Sequence, residues 1–417
     1  MANIRLLKSG NALFIPMLII GILYFIIGVG VGISSFLTPF LKDALHLTVT
    51  QSYLVPVAVF SAYVIFGAPA GWVVSKAGYK RSIAWSLFIM SFGTLLFVPS
   101  ANRANLSAFL LAFFMVGTGK TLLMVSVNPY ITIIGPQEGT VMRMCIIGIL
   151  NKLAWWICPV FLGLFLNLNN VKLDQVSLPF YIITGILIAL GTFMYFAPLP
   201  EVQAPGENES KTSDTGGYPD GATSIFQIPH LFFGVLALFF YIGVEILPIA
   251  SVIDFAKVVF GEGVENPSGF SRYVPIGMCI GYVFGVFMIP KIITHTRALR
   301  LFSVIGFASS LCLILLPGKI AIYCLAAIGF ANSIMWGAIW QLALADLGRF
   351  TKKGASFLVM SLVGAAVFPF IFGYIIDIFK TTEIPIVSDY QNAYWIFIPA
   401  YLFILYYGKL GYKIRRI

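Results

Sequence analysis

The sequence predicts an all-α membrane protein in which twelve transmembrane helices form two pseudo-symmetric bundles of six. The first observation is composition: 59% of the 417 residues are hydrophobic and 10% are charged, whereas soluble domains have about 25% charged residues. The second is length, because nearly every apolar run reaches the roughly 20 residues that a helix needs to cross a hydrocarbon core. The third is one long polar stretch that divides the apolar runs six and six.

Breaks in hydropathy define the twelve spans, with ends that are accurate to a few residues. We place them at about 12–40, 50–74, 81–99, 105–134, 142–166, 177–198, 228–258, 269–289, 298–316, 320–345, 355–379 and 392–408. Residues 200–224 are rich in Pro, Gly, Ser and Glu and show no apolar periodicity, which is typical of a flexible linker. The predicted domains are therefore an N-terminal bundle at 1–199, a cytoplasmic linker at 200–224 and a C-terminal bundle at 225–417.

Two short patterns recur at equivalent places in the two halves, which indicates an internal repeat. Gly67-x-x-x-Gly71 in span two returns as Gly281-x-x-x-Gly285 in span eight. Pro159-x-x-x-Gly163 in span five returns as Pro369-x-x-x-Gly373 in span eleven. Small residues at this spacing let membrane helices approach closely. Two related six-span halves with a midplane site are a known transporter plan.

The distribution of positive charge orients the chain in the bilayer. Of the 26 Lys and Arg residues, 17 fall in one set of loops and ends, seven fall in the other set, and two lie within spans. This positive-inside bias places both termini in the cytoplasm. We expect the protein to lie in the inner membrane of the cell. The bias also accounts for the net charge of +10 without a nucleic-acid partner. We expect a monomer embedded in lipid. We also expect no disulfides, because all five cysteines fall in apolar runs.

The loop after span two resembles a known signature. Residues 71–81 read GWVVSKAGYKR, which is similar to the loop of the major facilitator superfamily, where a Gly and an acid are followed by a basic residue, a Gly and a basic pair. Ser75 stands where that family usually has the acid. A short positive-inside loop is the other interpretation of the same residues, and the glycine spacing together with the twelve spans outweighs it.

Within that superfamily, three stretches resemble the family of the L-fucose permease and the glucose/galactose transporters, which are sugar–proton symporters. They are NPYITIIGP at 128–136, KGASFLVM at 353–360 and YIGVE at 241–245. The resemblance covers most of the chain and implies a twelve-helix fold and import of a monosaccharide by alternating access. Protons are the coupling ion that it implies, and no cofactor is expected.

The chain departs from that family where the family carries its coupling acids. Met124 stands at the position of a span-four glutamate, and Ser35 stands at that of a span-one aspartate four residues before Pro39. Gly148 replaces a span-five glutamine that lies near the sugar in the family. The overall sequence plan therefore resembles that of the family, whereas both of the family's proton-linked acids are missing.

Three ionisable residues lie near the middle of predicted spans, namely Lys120, Lys152 and Glu245. An exposed charge at that depth costs about 2.5–3.5 kcal/mol on the insertion scale, so such residues normally face a partner or a water-filled cavity. Glu245 has three open interpretations: an ion pair with one of the lysines, a coupling residue that replaces the missing acids, or a ligand of sugar hydroxyls. We predict the coupling role.

The two lysines exceed the one deep acid, which suggests an anionic group in the cavity such as the carboxylate of sialic acid or a hexuronate. The alternative is that each lysine has a structural role, as an ion-pair partner or with its ammonium reaching toward the interface. We also assign polar and aromatic side chains to the substrate site, because they offer hydrogen bonds and a face for a pyranose ring. The predicted substrate-binding set is Lys120, Asn128, Asn151, Lys152, Trp155, Asn332 and Gln341.

The sequence therefore predicts a secondary transporter that imports a monosaccharide or a sugar derivative, coupled to protons, with an acidic sugar as one option. The alternative is a symporter or uniporter of a neutral hexose such as fucose, glucose or galactose. A third possibility, of another class, is a membrane sugar sensor that does not transport. An enzyme is not expected: the three histidines are scattered at helix ends, no metal site is predicted, and GTGKT at 117–121 lies mid-span rather than in a phosphate-binding turn.

Overall fold

The computed structural model describes residues 10–47, 51, 54–134, 136–166, 172–197, 224–261, 267–289, 291–380 and 385–414. The predicted linker lies almost wholly outside the described residues, and so do both chain ends. The side chains of Ser35, Pro39, Trp156 and Pro159 are likewise outside the description. The described part of the chain is almost entirely helical.

Fourteen α-helices make up this part of the chain. They are α1 (Gly10–Ala44), α2 (Leu54–Asn102), α3 (Leu106–Ile133), α4 (Thr140–Gly163), α5 (Ser177–Phe196), α6 (Pro229–Phe260), α7 (Tyr273–Met288), α8 (His295–Leu315), α9 (Gly318–Asn332), α10 (Met335–Leu344), α11 (Thr351–Met360), α12 (Gly364–Phe379), α13 (Val387–Ala393) and α14 (Phe397–Lys409). Short 3₁₀ turns connect several of them.

The described helices are consistent with the predicted count of twelve spans. Ten stretches are long and apolar enough to cross a membrane. One of them is α2, whose 49 residues contain a break at Gly78 (φ 80°, ψ 173°), a backbone conformation that glycine adopts without the usual steric cost. Dividing α2 there and adding α4, which carries Arg143 and Lys152, gives twelve. The loop expected at 71–81 is thus helical apart from that one residue.

Two predicted spans contain breaks that hydropathy does not reveal. The span expected at 320–345 is divided into α9 and α10, because the backbone leaves the helix at Ser333 and Ile334. The span expected at 355–379 is divided into α11 and α12 by the 3₁₀ turn Ser361–Val363. Broken helices lower the number of backbone hydrogen bonds at membrane depth, which is tolerated only inside protein or beside a cavity.

Contacts between residues divide the chain into two compact units. The first unit comprises Met1–Pro136, Leu150–Gly221 and Asp346–Met360, and the second comprises Gln137–Ile149, Ala222–Ala345 and Ser361–Ile417. In the first, α2 packs against α3, α5 and α11; in the second, α9 packs against α7 and α8, and α12 packs against α6. The simple division of the sequence into halves at the linker stays a prediction.

Glycine-based packing is present at the first repeated pattern of the first unit. A Cβ atom on Gly71 would lie 2.8 Å from Oγ of Ser356, and a Cβ on Gly67 would overlap the side chain of Met360. Both partners belong to α11. The two glycines therefore let α2 and α11 approach closely, as the small-residue spacing predicts.

The equivalent pattern in the second unit behaves in the same way. A Cβ on Gly285 would lie 2.7 Å from Sγ of Cys145, and a Cβ on Gly281 would lie 2.7 Å from the backbone oxygen of Phe330. By contrast, Gly163 and Gly373 of the second repeated pattern face open space among the described residues. Only the first repeat thus corresponds to close helix contacts.

A close backbone approach in the second unit joins α7 and α9. A Cβ on Gly277 would overlap the carbonyl oxygen of Ala326, and a Cβ on Gly329 would overlap that of Val274. Glycine is required at both positions because backbone atoms cannot move aside as a side chain can.

We predict that Gly277→Ala lowers the free energy of unfolding by about 1–3 kcal/mol, the usual cost of overpacking. Gly373→Ala in α12 is the matched control, since it adds the same methyl group where nothing lies within 4 Å. Thermal melts of the two purified variants measure the difference. Equal melting temperatures would mean that the contact between α7 and α9 is not close.

Candidate functional site

In the first unit, α1 is tied to α3 through Tyr24. Its hydroxyl donates a hydrogen bond to Oδ1 of Asn128, and Nδ2 of Asn128 donates to the backbone oxygen of Met124 at 2.9 Å. Asn128 is fully buried. Both ends of its amide are therefore engaged within the chain, and its predicted contact with substrate stays a prediction.

Tyr24 also links α1 to α4 through its backbone. Nδ2 of Asn151 donates to the carbonyl oxygen of Tyr24 at 2.9 Å. One turn further along α1, Gly28 lies directly against the backbone oxygen of Asn151, where a Cβ would overlap it. The side-chain oxygen of Asn151 accepts no hydrogen bond from a described residue, and the residue is only partly buried. Asn151 can thus accept a hydrogen bond from a ligand while its amide nitrogen holds α1.

The ammonium of Lys152 is held by an aromatic ring of its own helix. Its Nζ lies 3.8 Å from the centre of the Trp155 ring, within the range of a cation–π interaction. Lys152 is 4% exposed. Nε1 of Trp155 is buried and makes no hydrogen bond to a described residue. The pair therefore combines a positive charge, an aromatic surface and an unused N–H donor.

Lys120 lies in the same unit, near Lys152. It is 2% exposed, and the charge of Lys152 acts on it. Its alkyl chain lies beside α1: a Cβ atom on Gly30 of α1 would lie 3.9 Å from Cδ of Lys120. No hydrogen bond or ion pair joins Lys120 to a described residue. Lys120, Asn128, Asn151, Lys152 and Trp155 are thus brought together in the first unit.

In the second unit, Asn332 closes a bridge between three helices. Its Nδ2 donates to the backbone oxygen of Val244 at 2.8 Å, and its Oδ1 accepts from the hydroxyl of Tyr401 at 2.9 Å. Asn332 is fully buried at the end of α9, where the backbone leaves the helix. These bonds connect α6, α9 and α14. The predicted role of Asn332 in substrate binding stays a prediction, and its contacts are those of a structural residue.

Glu245 follows Val244 on α6 and is 6% exposed. Its charge acts on the phenols of Tyr241 and Tyr401. The ring of Tyr241 lies 6.2 Å from that of Trp336, whose ring is 5.6 Å from that of Trp340. The carboxylate therefore lies in an aromatic environment that contains hydroxyl donors. Such an environment suits a carboxyl that binds a polar ligand or exchanges a proton.

Gln341 lies on α10, next to Trp340, in the same unit. The indole N–H groups of Trp336 and Trp340 are buried and make no hydrogen bond to a described residue. The second unit thus holds the remaining predicted site residues, Asn332, Gln341 and Glu245. Among the described residues, no group of three or more His, Cys, Asp or Glu could hold a metal ion.

Sequence reasoning missed two tyrosines that organise these networks. Tyr24 and Tyr401 lie in apolar runs, where a tyrosine is hard to distinguish from any other aromatic residue. The available signal is indirect: an Asn at membrane depth needs partners, and the opposing spans offer few polar side chains besides tyrosine. That reasoning would have predicted partners for Asn128 and Asn332 without identifying which tyrosines supply them.

The sequence matches known proteins along most of its length. The family profile described as Major Facilitator Superfamily matches residues 20–360. A glucose/galactose transporter of Brucella abortus is 30% identical over 401 residues, which cover 94% of this chain and 93% of the relative. The L-fucose-proton symporter of Escherichia coli is 26% identical over 392 residues and 88% of each chain.

Solved structures give the same fold. A crystal structure of the transporter FucP in the outward conformation has a TM-score of 0.81 at 22% identity, covering 95% of this chain and 98% of that chain. The proton:xylose symporter XylE bound to 6-bromo-6-deoxy-D-glucose has a TM-score of 0.74 at 13% identity, covering 95% and 96%. At these identities the likeness supports the fold alone.

The network around Tyr24 generates a stability prediction. Tyr24→Phe removes the donor to Asn128, which leaves a fully buried carbonyl oxygen unsatisfied, so unfolding should become easier by about 1–3 kcal/mol. Tyr63→Phe in α2 is the matched control, because Tyr63 makes no hydrogen bond to a described residue. Thermal melts compare the two.

A double variant, Tyr24→Phe with Asn128→Leu, should recover part of the loss, because removing both polar partners leaves no group unsatisfied. If Tyr24→Phe melts like the wild type, the hydrogen bond to Asn128 does not hold α1 against α3.

Proposed function

The chain belongs to the major facilitator superfamily, whose matching relatives are transporters rather than enzymes, and from that membership we propose that it is a secondary transporter of a neutral hexose, coupled to protons. The observation that carries the proposal is the 30% identity over 94% of the chain with a protein named as a glucose/galactose transporter. The relative named as an L-fucose-proton symporter supports the proton as coupling ion.

The neutral substrate replaces the acidic sugar that the two lysines suggested. Relatives are named for glucose, galactose and L-fucose, which carry no charge. The ring of Trp155 also stabilises the charge of Lys152 from within the chain. A carboxylate on the substrate is therefore not needed to explain how the buried charge of Lys152 is stabilised.

Groups that the fold leaves available are the ones we assign to the sugar. In the first unit they are the side-chain oxygen of Asn151, which can accept from a hydroxyl, and the N–H of Trp155 and the ammonium of Lys120, which can donate. Tyrosine and tryptophan rings also suit the C–H face of a pyranose. In the second unit, the buried indole N–H groups of Trp336 and Trp340 offer further donors, and Gln341 stays a predicted contact of the sugar.

Proton coupling gives the transport its direction. One charge that moves down a potential of 100 mV supplies about 2.3 kcal/mol, and tenfold accumulation requires about 1.4 kcal/mol. One proton per sugar therefore supplies enough free energy for tenfold accumulation of the sugar. Glu245 is the carboxyl that we assign to this task, because it is buried at mid-span on the same helix as Tyr241, one turn away.

Proteoliposomes that contain the purified protein should take up radiolabelled glucose, galactose or fucose when an inward proton gradient is imposed, and a protonophore should abolish the accumulation. Unlabelled neutral hexose should compete, whereas glucuronate and sialic acid should not. Competition by the acidic sugars would reverse the substrate assignment. Saturable binding of hexose without any uptake would instead indicate a sensor.

Glu245→Gln should abolish uphill uptake but retain counterflow exchange, because exchange of labelled for unlabelled sugar requires no net proton movement. Asp254→Asn is the matched control on the same helix: its carboxylate is exposed and pairs with Lys257 at 3.5 Å. Both assays use the same proteoliposomes. A Glu245→Gln protein that still accumulates sugar with normal pH dependence excludes Glu245 as the carrier.

A further inference from the structure

One end of the second unit carries a group of cations with which no described acidic side chain pairs. Arg297 and Arg300 lie in the first two turns of α8, and Lys409 and Lys413 lie at and just after the end of α14. Arg300 is partly exposed, and the other three are exposed. No ion pair joins any of the four to a described residue. We call these four residues the α8–α14 basic patch.

Helix packing brings the two parts of the patch together. A Cβ atom on Gly408 of α14 would lie 3.4 Å from Cγ of Arg300, so the stem of Arg300 lies against the end of α14, next to Lys409. Nε of Arg300 donates to the backbone oxygen of Thr296 at 3.3 Å, one turn back along α8. Arg297 precedes Arg300 by three residues, a spacing that makes the two neighbours on a helix surface. The cations therefore converge from two helices on one surface.

The described acidic side chains of the unit do not cancel this charge. Four of the five lie at mid-span or near the opposite ends of their helices, namely Glu245, Asp254, Asp377 and Asp389. The fifth, Glu138, is exposed, and its charge acts on His295 in the first turn of α8. Even with Glu138 included, four positive charges against one negative charge leave a net charge of +3.

Exposed apolar and aromatic side chains border the patch. On α14, Tyr406 is 37% exposed, and Leu410, which follows the helix, is 51% exposed. The ring of Tyr406 lies 6.0 Å from that of Phe233 in the first turns of α6, and Phe226, just before α6, is 70% exposed. Aromatic residues are enriched where membrane helices meet the lipid headgroups. The surface therefore combines positive charge with an apolar rim.

We propose that the α8–α14 basic patch binds the phosphate headgroup of an anionic phospholipid, in the leaflet that the charge bias predicts to be cytoplasmic. Clusters of Lys and Arg at the cytoplasmic ends of membrane helices attract such lipids, and guanidinium groups bind phosphate oxygens with paired hydrogen bonds. The rim favours a lipid over a free phosphate, because only the lipid has acyl chains to place against it. The positive-inside bias explains on which side these cations lie, but it does not require them to converge without an acid.

The test measures retention of radiolabelled phosphatidylglycerol by the immobilised, detergent-solubilised full-length protein. Unlabelled phosphatidylglycerol should displace the label at a concentration at least about fivefold lower than phosphatidylcholine with the same acyl chains, since each cation near the headgroup contributes about a fivefold gain in affinity. Equal displacement by the two lipids would overturn the proposal without any variant. The assay involves no sugar, so its outcome is independent of whether hexose is transported.

Arg297→Gln combined with Arg300→Gln locates the effect. This double variant should bind phosphatidylglycerol about 25-fold more weakly, fivefold for each cation removed, and its affinity for phosphatidylcholine should not change. Arg272→Gln combined with Lys319→Gln is the matched control, because it removes two exposed cations from the opposite end of the same unit. An equal loss in both double variants would mean general charge attraction and would contradict the assignment.

Two further measurements separate charge from other causes and a lipid from a soluble anion. Arg297→Lys combined with Arg300→Lys keeps both charges and should restore binding to within a few-fold of the wild type; a folded lysine variant that fails to bind would overturn the electrostatic explanation. Millimolar inorganic phosphate, compared with sodium chloride at equal ionic strength, should not displace the labelled lipid. Displacement by phosphate would assign the patch to a soluble anion and would overturn the lipid site.

Discussion

The constraint on which this structure depends is that a polar group at membrane depth must find its hydrogen-bond partner inside the protein. Water cannot satisfy it in the hydrocarbon core. Asn128 meets the constraint through Tyr24 and the backbone of its own helix, and Asn332 meets it through Tyr401 and Val244. Each amide thereby fixes the relative position of helices that apolar contacts alone would hold less specifically. The groups that do not meet the constraint within the chain are those available to a ligand.

The same constraint explains why the sequence predicted the fold better than the site. Hydropathy locates the spans, because a helix of about 20 apolar residues is a direct consequence of bilayer thickness. The glycine spacing correctly predicted close contacts at Gly67, Gly71, Gly281 and Gly285. Hydropathy could not predict the breaks between α9 and α10 or between α11 and α12, because both lie inside continuous apolar runs. These breaks depend on packing against neighbouring helices.

For the site, the sequence indicated which residues are unusual but not which of them are occupied. Asn128, Asn151 and Asn332 look alike in an apolar run, yet the structure engages both ends of two amides and only one end of the third. Lys120 and Lys152 also look alike, yet among the described residues an aromatic ring lies against Lys152 and none against Lys120. The acidic-sugar hypothesis followed from counting charges, and counting does not register a cation–π contact within the chain.

The most direct test of this division compares Asn151→Ala with Asn332→Ala, using calorimetric titration with a neutral hexose and thermal melts of the same samples. Asn151→Ala should weaken binding by about tenfold, equivalent to 1.4 kcal/mol, and should change the melting temperature little. Asn332→Ala should lower the melting temperature strongly and should leave the affinity of the remaining folded protein close to that of the wild type. Loss of hexose binding in folded Asn332→Ala, together with unchanged binding in Asn151→Ala, would contradict the account.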